Sequence, residues 1–228
     1  MRKILIIVIA IVAAAGVVSA QTVVGTAHDL SSTGPGATTN VTRVCVFCHT
    51  PHQATAAAGQ DPLWNHTVST VANYGVYASD TMNATPTDIG GAAVGSQSVS
   101  NLCMSCHDGT VAVHSLYNEP NELGGAAITI TAGGNVNATG FITGTPLLGT
   151  DLTDDHPINF LYDAALATAD GGLVTPFSTA WVVNGTNVPL FAGTVQCASC
   201  HDPHDDTNDP FLGISNTGSA LCTTCHIK

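Results

Sequence analysis

The apolar positions of this chain are of two kinds. The first is one unbroken run, Ile4 to Val18, set behind Arg2 and Lys3 and ending in Val18-Ser19-Ala20. A basic start, a short apolar core and a small-residue end predict a secretory signal peptide over residues 1–20. The competing reading is an uncleaved anchor, but the run is short for a bilayer span. No later segment is long and apolar enough to cross a membrane, so residues 21–228 are expected to form one domain without a span. The second kind is scattered. Leu161 to Ala169 is amphipathic and predicts a helix stopped by Gly171-Gly172. "AWVVNGTNVPLF" predicts a hairpin turning at Asn184-Gly185, and "AAITITAGG" a further strand. Short helices are expected over 42–49, 99–107 and 217–226. The remainder, rich in Gly, Thr, Asn and Pro, is expected to be irregular.

Composition deepens the puzzle. Aromatic residues are only 5% of the chain, so a dense side-chain core is hard to build and something else must fill the interior. Without Arg2 and Lys3, only Arg43 and Lys228 oppose sixteen acidic residues, and the formal charge moves from −12 to −14. Nucleic acid is excluded as a partner, since phosphate binding needs clustered Lys and Arg. An anionic lipid surface is excluded on the same ground. The acidity itself reads mainly as solubility.

All eight cysteines lie in four pairs, each followed at once by histidine: Cys45/Cys48/His49, Cys103/Cys106/His107, Cys197/Cys200/His201 and Cys222/Cys225/His226. C-x-x-C-H is the attachment pattern of c-type haem. Two thiols add across the vinyl groups of one porphyrin edge, and the histidine lies under the iron as the proximal ligand. Disulfides, all-cysteine zinc sites and a thioredoxin-like redox pair would also use paired cysteines. None of them needs a histidine after each second cysteine. Ten histidines placed at random in 228 residues would fill all four positions roughly a few times in a million. Four covalently attached haems are the expectation, and export suits them.

Haem iron takes two axial ligands. Beyond the signal segment only Met82 and Met104 could supply a thioether, and Met104 lies inside an attachment motif. Histidine is the ligand in supply: His28, His52, His66, His114, His156 and His204 remain. Bis-histidine irons have no open site for substrate, and their potentials lie below those of His/Met cytochromes. His52 and His204 each follow a proximal histidine by three residues in H-x-P-H. Histidines so close cannot straddle a porphyrin, and the proline turns the chain out of the attachment helix. Each must therefore serve a different iron from its neighbour, which draws haems close together. His28 and His156 complete the expected distal set, with Asp154 or Asp155 placed to accept the other ring N–H of His156. His66 and His114 read as spares, either of which could replace a chosen ligand.

The expected architecture is thus mostly irregular: a multihaem cytochrome c fold with few short helices and small hairpins wrapped around a column of four haems. Five N-x-S/T sequons, at Asn40, Asn65, Asn83, Asn137 and Asn184, are explained by the richness in Asn and Thr.

The ordered set "AHDLSSTGPG", "VCVFCHTPH", "PLWN", "CMSCHDGT", "DLTDDHPINF", "YDAALATADGGL", "VQCASCHDPH" and "LCTTCH" resembles the OmcE-type tetrahaem outer-surface cytochromes of metal-reducing bacteria. The resemblance covers nearly all of residues 21–228. Like the hexahaem OmcS-type proteins, these polymerise into extracellular filaments with a continuous haem chain. The resemblance implies a secreted protein at or beyond the cell surface, whose partners are its own copies, upstream redox cytochromes and an extracellular electron acceptor. It further implies that His52 ligates a haem of the adjacent subunit. A monomeric periplasmic tetrahaem shuttle is the alternative. A multihaem reductase fits less well, because it needs an open iron and no variant motif such as C-x-x-C-K occurs.

Overall fold

The computed structural model describes residues 23–35, 38–54, 63–90, 98–176 and 188–227. Residues 1–20, expected as a signal segment, and the turn expected at Asn184-Gly185 lie outside them. Regular structure is sparse. Among the described residues six two-residue strands form three separate ribbons. β1 (Thr38–Thr39) pairs antiparallel with β3 (Ile130–Thr131). β2 (Gly75–Val76) pairs parallel with β4 (Asp151–Leu152), and β5 (Phe160–Leu161) pairs antiparallel with β6 (Thr194–Val195). The described residues form four α-helices: α1 (Val99–His107), α2 (Ala164–Asp170), α3 (Cys197–Cys200) and α4 (Ala220–Cys225). The first attachment motif sits on a 3-10 turn, Val44–Phe47. No ribbon closes or joins another among the described residues, so the fold is few short helices and small strands. Among the same residues no helix is long and apolar enough to cross a membrane.

The irregular chain is ordered because short polar side chains do the work of ladders. Asp29 accepts from the N–H groups of Gly25 and Ser31. Asn137 accepts from the N–H groups of Thr139 and Phe141, and Asp151 from that of Thr153. These are Asx-type turns, in which a side chain satisfies backbone donors that helix or sheet would otherwise take. The abundance of Thr, Asn, Asp and Ser is thus the material of the fold.

Several elements depart from their expected bounds: the helix expected over 42–49 is the 3-10 turn Val44–Phe47, and that expected over 217–226 is a 3-10 turn, Thr217–Ser219, followed by α4. α2 begins at Ala164 rather than Leu161, because Phe160–Leu161 is spent on pairing with β6 and Asp163 caps the helix by accepting from the Leu166 N–H at 2.8 Å. Its end is as expected, with Gly171 in the left-handed region at φ +70°. α3, which carries the third motif, has no counterpart among the expected helices.

Two small apolar clusters are present. Tyr74, Ile89, Met104 and Leu152 form one; Phe160, Tyr162, Val188, Leu190 and Val195 form the other, with Leu221 and Cys225 packed on it. α1 and α3 are riveted by Gln196, which is only 3% exposed. Its Oε1 accepts from the hydroxyls of Ser98 (2.8 Å) and Ser100 (2.5 Å), while its Nε2 donates to Asn159 Oδ1 (2.7 Å) and Thr194 Oγ1 (2.8 Å). Gln196→Leu would leave these buried partners unsatisfied. The expected cost is about 3 kcal/mol, read as a lowered midpoint in thermal or denaturant melting. An unchanged midpoint would show that the rivet is idle.

Candidate haem-binding site

Each attachment motif occupies about one helical turn, and the four turns share one construction. The second spacer residue is buried every time: Phe47, Ser105, Ser199 and Thr224 are 2%, 0%, 3% and 3% exposed. In a helical turn, residues three apart share a face while the one between them points elsewhere. Burying the second spacer residue therefore turns both cysteines of a motif together toward the opposite side. The histidine N–H closes the turn by donating to the first cysteine's carbonyl at 2.8 Å for His49, 3.0 Å for His201 and 2.9 Å for His226. Beyond the turn the backbone of His201 and His226 is extended.

The eight cysteines are unbonded to one another. Burial pushes the thiols of Cys48 and Cys200 up to about 11 and that of Cys106 higher still. α1 and α3 pack together, and the Cys103 and Cys197 thiols lie close enough to shift each other, Cys103 upward and Cys197 down to about 7, so the second and third attachment edges abut.

The histidines fall into pairs. His49 and His204 have ring centroids 6.0 Å apart with planes at 12°. For His28 and His107 the values are 6.3 Å and 86°, and for His156 and His226 they are 6.4 Å and 77°. Two imidazoles on opposite faces of one metal, with bonds of about 2 Å and about 1.1 Å more from each nitrogen to its ring centre, have centroids about 6 Å apart. Rotation about the shared axis leaves the interplanar angle free. All three spacings fit one iron between the rings, and each pair joins one motif histidine to one of the expected distal set.

Orientation fits as well. The Nδ1 of His107 faces the carbonyl of Pro146 at 2.8 Å, that of His156 faces Pro157 O at 2.9 Å, and that of His201 faces Pro210 O at 2.9 Å. His28 Nδ1 lies 3.4 Å from Pro203 O. With Nδ1–H donating to a backbone carbonyl, the lone pair is confined to Nε2, the nitrogen left to face a metal. For His156 the acceptor is thus the next residue's carbonyl and neither Asp154 nor Asp155, whose carboxylates the sequence had suggested. His204 uses a carboxylate, with its Nδ1 3.3 Å from Asp202 Oδ1. Burial, helped by the neighbouring His107, holds His28 below the usual imidazole range and so keeps it neutral, as a ligand must be.

Four histidines stand outside the pairs. His66 is buried, with Nδ1 2.8 Å from Thr67 O and Nε2 3.0 Å from Ala112 O and 3.5 Å from Cys106 Sγ, and the single N–H of its neutral ring donates to one of the two carbonyls. His114 packs beside Gly140, where a Cβ would come within 2.4 Å of its Nδ1. Neither lies against an attachment histidine. His201 is a motif histidine, exposed and oriented by Pro210, yet no imidazole pairs with it among the described residues. His52 is exposed and its ring meets no other ring there.

Sequence reasoning missed the four proline carbonyls and Phe211, whose ring stacks on His28 at 4.3 Å. A carbonyl carries no sequence signal, since every residue has one. Met104 is fully buried among Tyr74, Ile89 and Leu152, and so is engaged in core packing.

Residues 189–228, which hold the third and fourth motifs, match the family model described as a doubled CXXCH motif. The match supports a multihaem c-type cytochrome. Its C-x-x-C-H motifs indicate covalently bound haem c, and the chemistry such proteins serve is electron transfer. No curated protein matches the chain.

Proposed function

We propose that the chain carries four haems c, all bis-histidine ligated, and polymerises with its own copies into an extracellular filament that conducts electrons. The observation that carries this reading is the arithmetic of the pairs. His49/His204, His107/His28 and His226/His156 would each hold one iron within a chain. That leaves one motif histidine, His201, without a distal partner, and one exposed candidate, His52, without an iron. His52 cannot turn back over the haem of His49. A head-to-tail contact in which His52 of one copy completes the iron of His201 in the next satisfies both and repeats indefinitely.

Haem c supplies a one-electron Fe(III)/Fe(II) couple. The chain's own contribution is position. The proline carbonyls and Asp202 fix the imidazole tautomers, the buried spacer residues aim the cysteines, and the α1–α3 rivet holds the second and third attachment edges together. His204, three residues after His201, ties the first site to the third. The donor is an upstream redox cytochrome, and the acceptor lies outside the cell, to which residues 1–20 direct export.

Two measurements test the reading. Intact mass of the purified protein should exceed the polypeptide, cut after Ala20, by four haem masses. Negative-stain microscopy should show filaments. Monodisperse single particles with all irons six-coordinate would instead identify a monomeric shuttle.

A further inference from the structure

The exposed His52 ring rises from a backbone fastened on both sides. Thr50, 6% exposed, donates its N–H to Leu63 O at 2.8 Å and its hydroxyl to His52 O at 2.9 Å. From the other side Asn118 Nδ2 donates to Gln53 O at 2.8 Å and reaches His52 O at 3.5 Å. Gln53 is held in the left-handed region at φ +56°, a conformation that a non-glycine residue keeps only when its surroundings impose it.

Asn118 is itself anchored. Its N–H donates to Asn65 Oδ1 at 2.9 Å, and its carbonyl accepts from Asn65 Nδ2 at 3.0 Å. Asn65 is fully buried, and its Nδ2 also donates to Val46 O at 2.7 Å inside the first attachment turn. Its own N–H donates to Cys48 O at 2.9 Å. A chain of hydrogen bonds thus runs from the first haem's attachment turn through Asn65 and Asn118 to the loop that carries His52. A surface imidazole with no task needs no such bracing. Bracing that leaves the side chain projecting into solvent is what a ligand for another molecule requires, because a pre-set loop avoids the ordering cost on docking.

We propose that Thr50–Ala54 is a preformed docking knob for a second copy of the chain, and that Asn118 is the positioning residue that aims His52. This rests on the function proposed above. It predicts that Asn118→Ala raises the protein concentration at half-assembly by about five- to tenfold, the effect of losing one hydrogen bond and its ordering. Thr50→Val, which removes only the hydroxyl, should act in the same direction.

The test follows the high-spin ferric haem signal of the holoprotein against concentration for the wild type, Asn118→Ala, Thr50→Val and His52→Ala. At saturation both positioning variants should reach the wild-type end point, since the ligand is intact, while His52→Ala never does. In dissociated protein the low-spin signals should match those of the wild type. A loss there would mean that Asn118 merely supports the neighbouring His49 site, and would overturn the proposal. Unshifted midpoints in both positioning variants, with His52→Ala still unable to assemble, would sink the knob and spare the function. Assembly by His52→Ala would sink the function itself.

Discussion

His52→Ala is expected to abolish filaments while leaving the three intrachain imidazole pairs untouched. The exposed ring enters no hydrogen bond, ion pair or ring stack within the described part of its own chain, so its removal costs the monomer little. Between copies it would be the only covalent-strength link, a metal–nitrogen bond. Each 1.4 kcal/mol of contact energy is a factor of ten in the association constant, so loss of such a bond should weaken assembly by at least about a hundredfold. Sedimentation and microscopy of the variant at the wild-type working concentration read this directly. Alongside, about one iron in four should be high-spin, the iron of His201 having lost its second ligand. Filaments of ordinary length in the variant would refute the inter-copy bond.

His204→Ala should act the other way, damaging the chain before any assembly. Its ring lies parallel to that of His49 at 6.0 Å, and an iron held between them would cross-link the first and third motifs. Such a link closes a loop of about 155 residues, for which the chain-entropy estimate is about 5 kcal/mol. The variant should melt well below the wild type and show a high-spin iron that concentration does not remove. That persistence separates it from dissociated wild-type protein, and the lowered melting separates it from the His52 variant. A spectrum like the wild type's would mean that His204 is not a ligand.

The part of the site governed by covalent chemistry was the most legible in the sequence. Two thiols must span one porphyrin edge and one imidazole must follow, so spacing alone marks the four motifs. The two H-x-P-H clusters were legible as a pattern, and the structure sets the His204 ring beside that of His49 rather than that of His201. α1 was readable over its full length, and α2 to within three residues of its start. α3 was not, because it is four residues long and is capped by Gln196, a residue with little capping preference of its own, through a reciprocal bond with Ser199.

Which imidazoles meet is tertiary information. Nothing around His28 names His107, and nothing in "PLWNHT" reveals that the ring of His66 is buried between the carbonyls of Thr67 and Ala112. The same holds for tautomer control. Aspartates beside His156 were the visible acceptors, yet the Pro157 carbonyl, one residue away, is nearer to hand. The irregular segments gave no period to read because their backbone bonds go to Asx and Ser/Thr side chains, whose partners lie anywhere from two to about a hundred residues away.

The most direct measurement is a density map of the protein in its assembled state, read at the iron bound by His201. The account predicts an imidazole on the far side of that iron belonging to His52 of the partner subunit, and both ligands of the other three irons from one chain. A map in which that position is filled from within the same chain, or in which His52 projects into solvent, would contradict it.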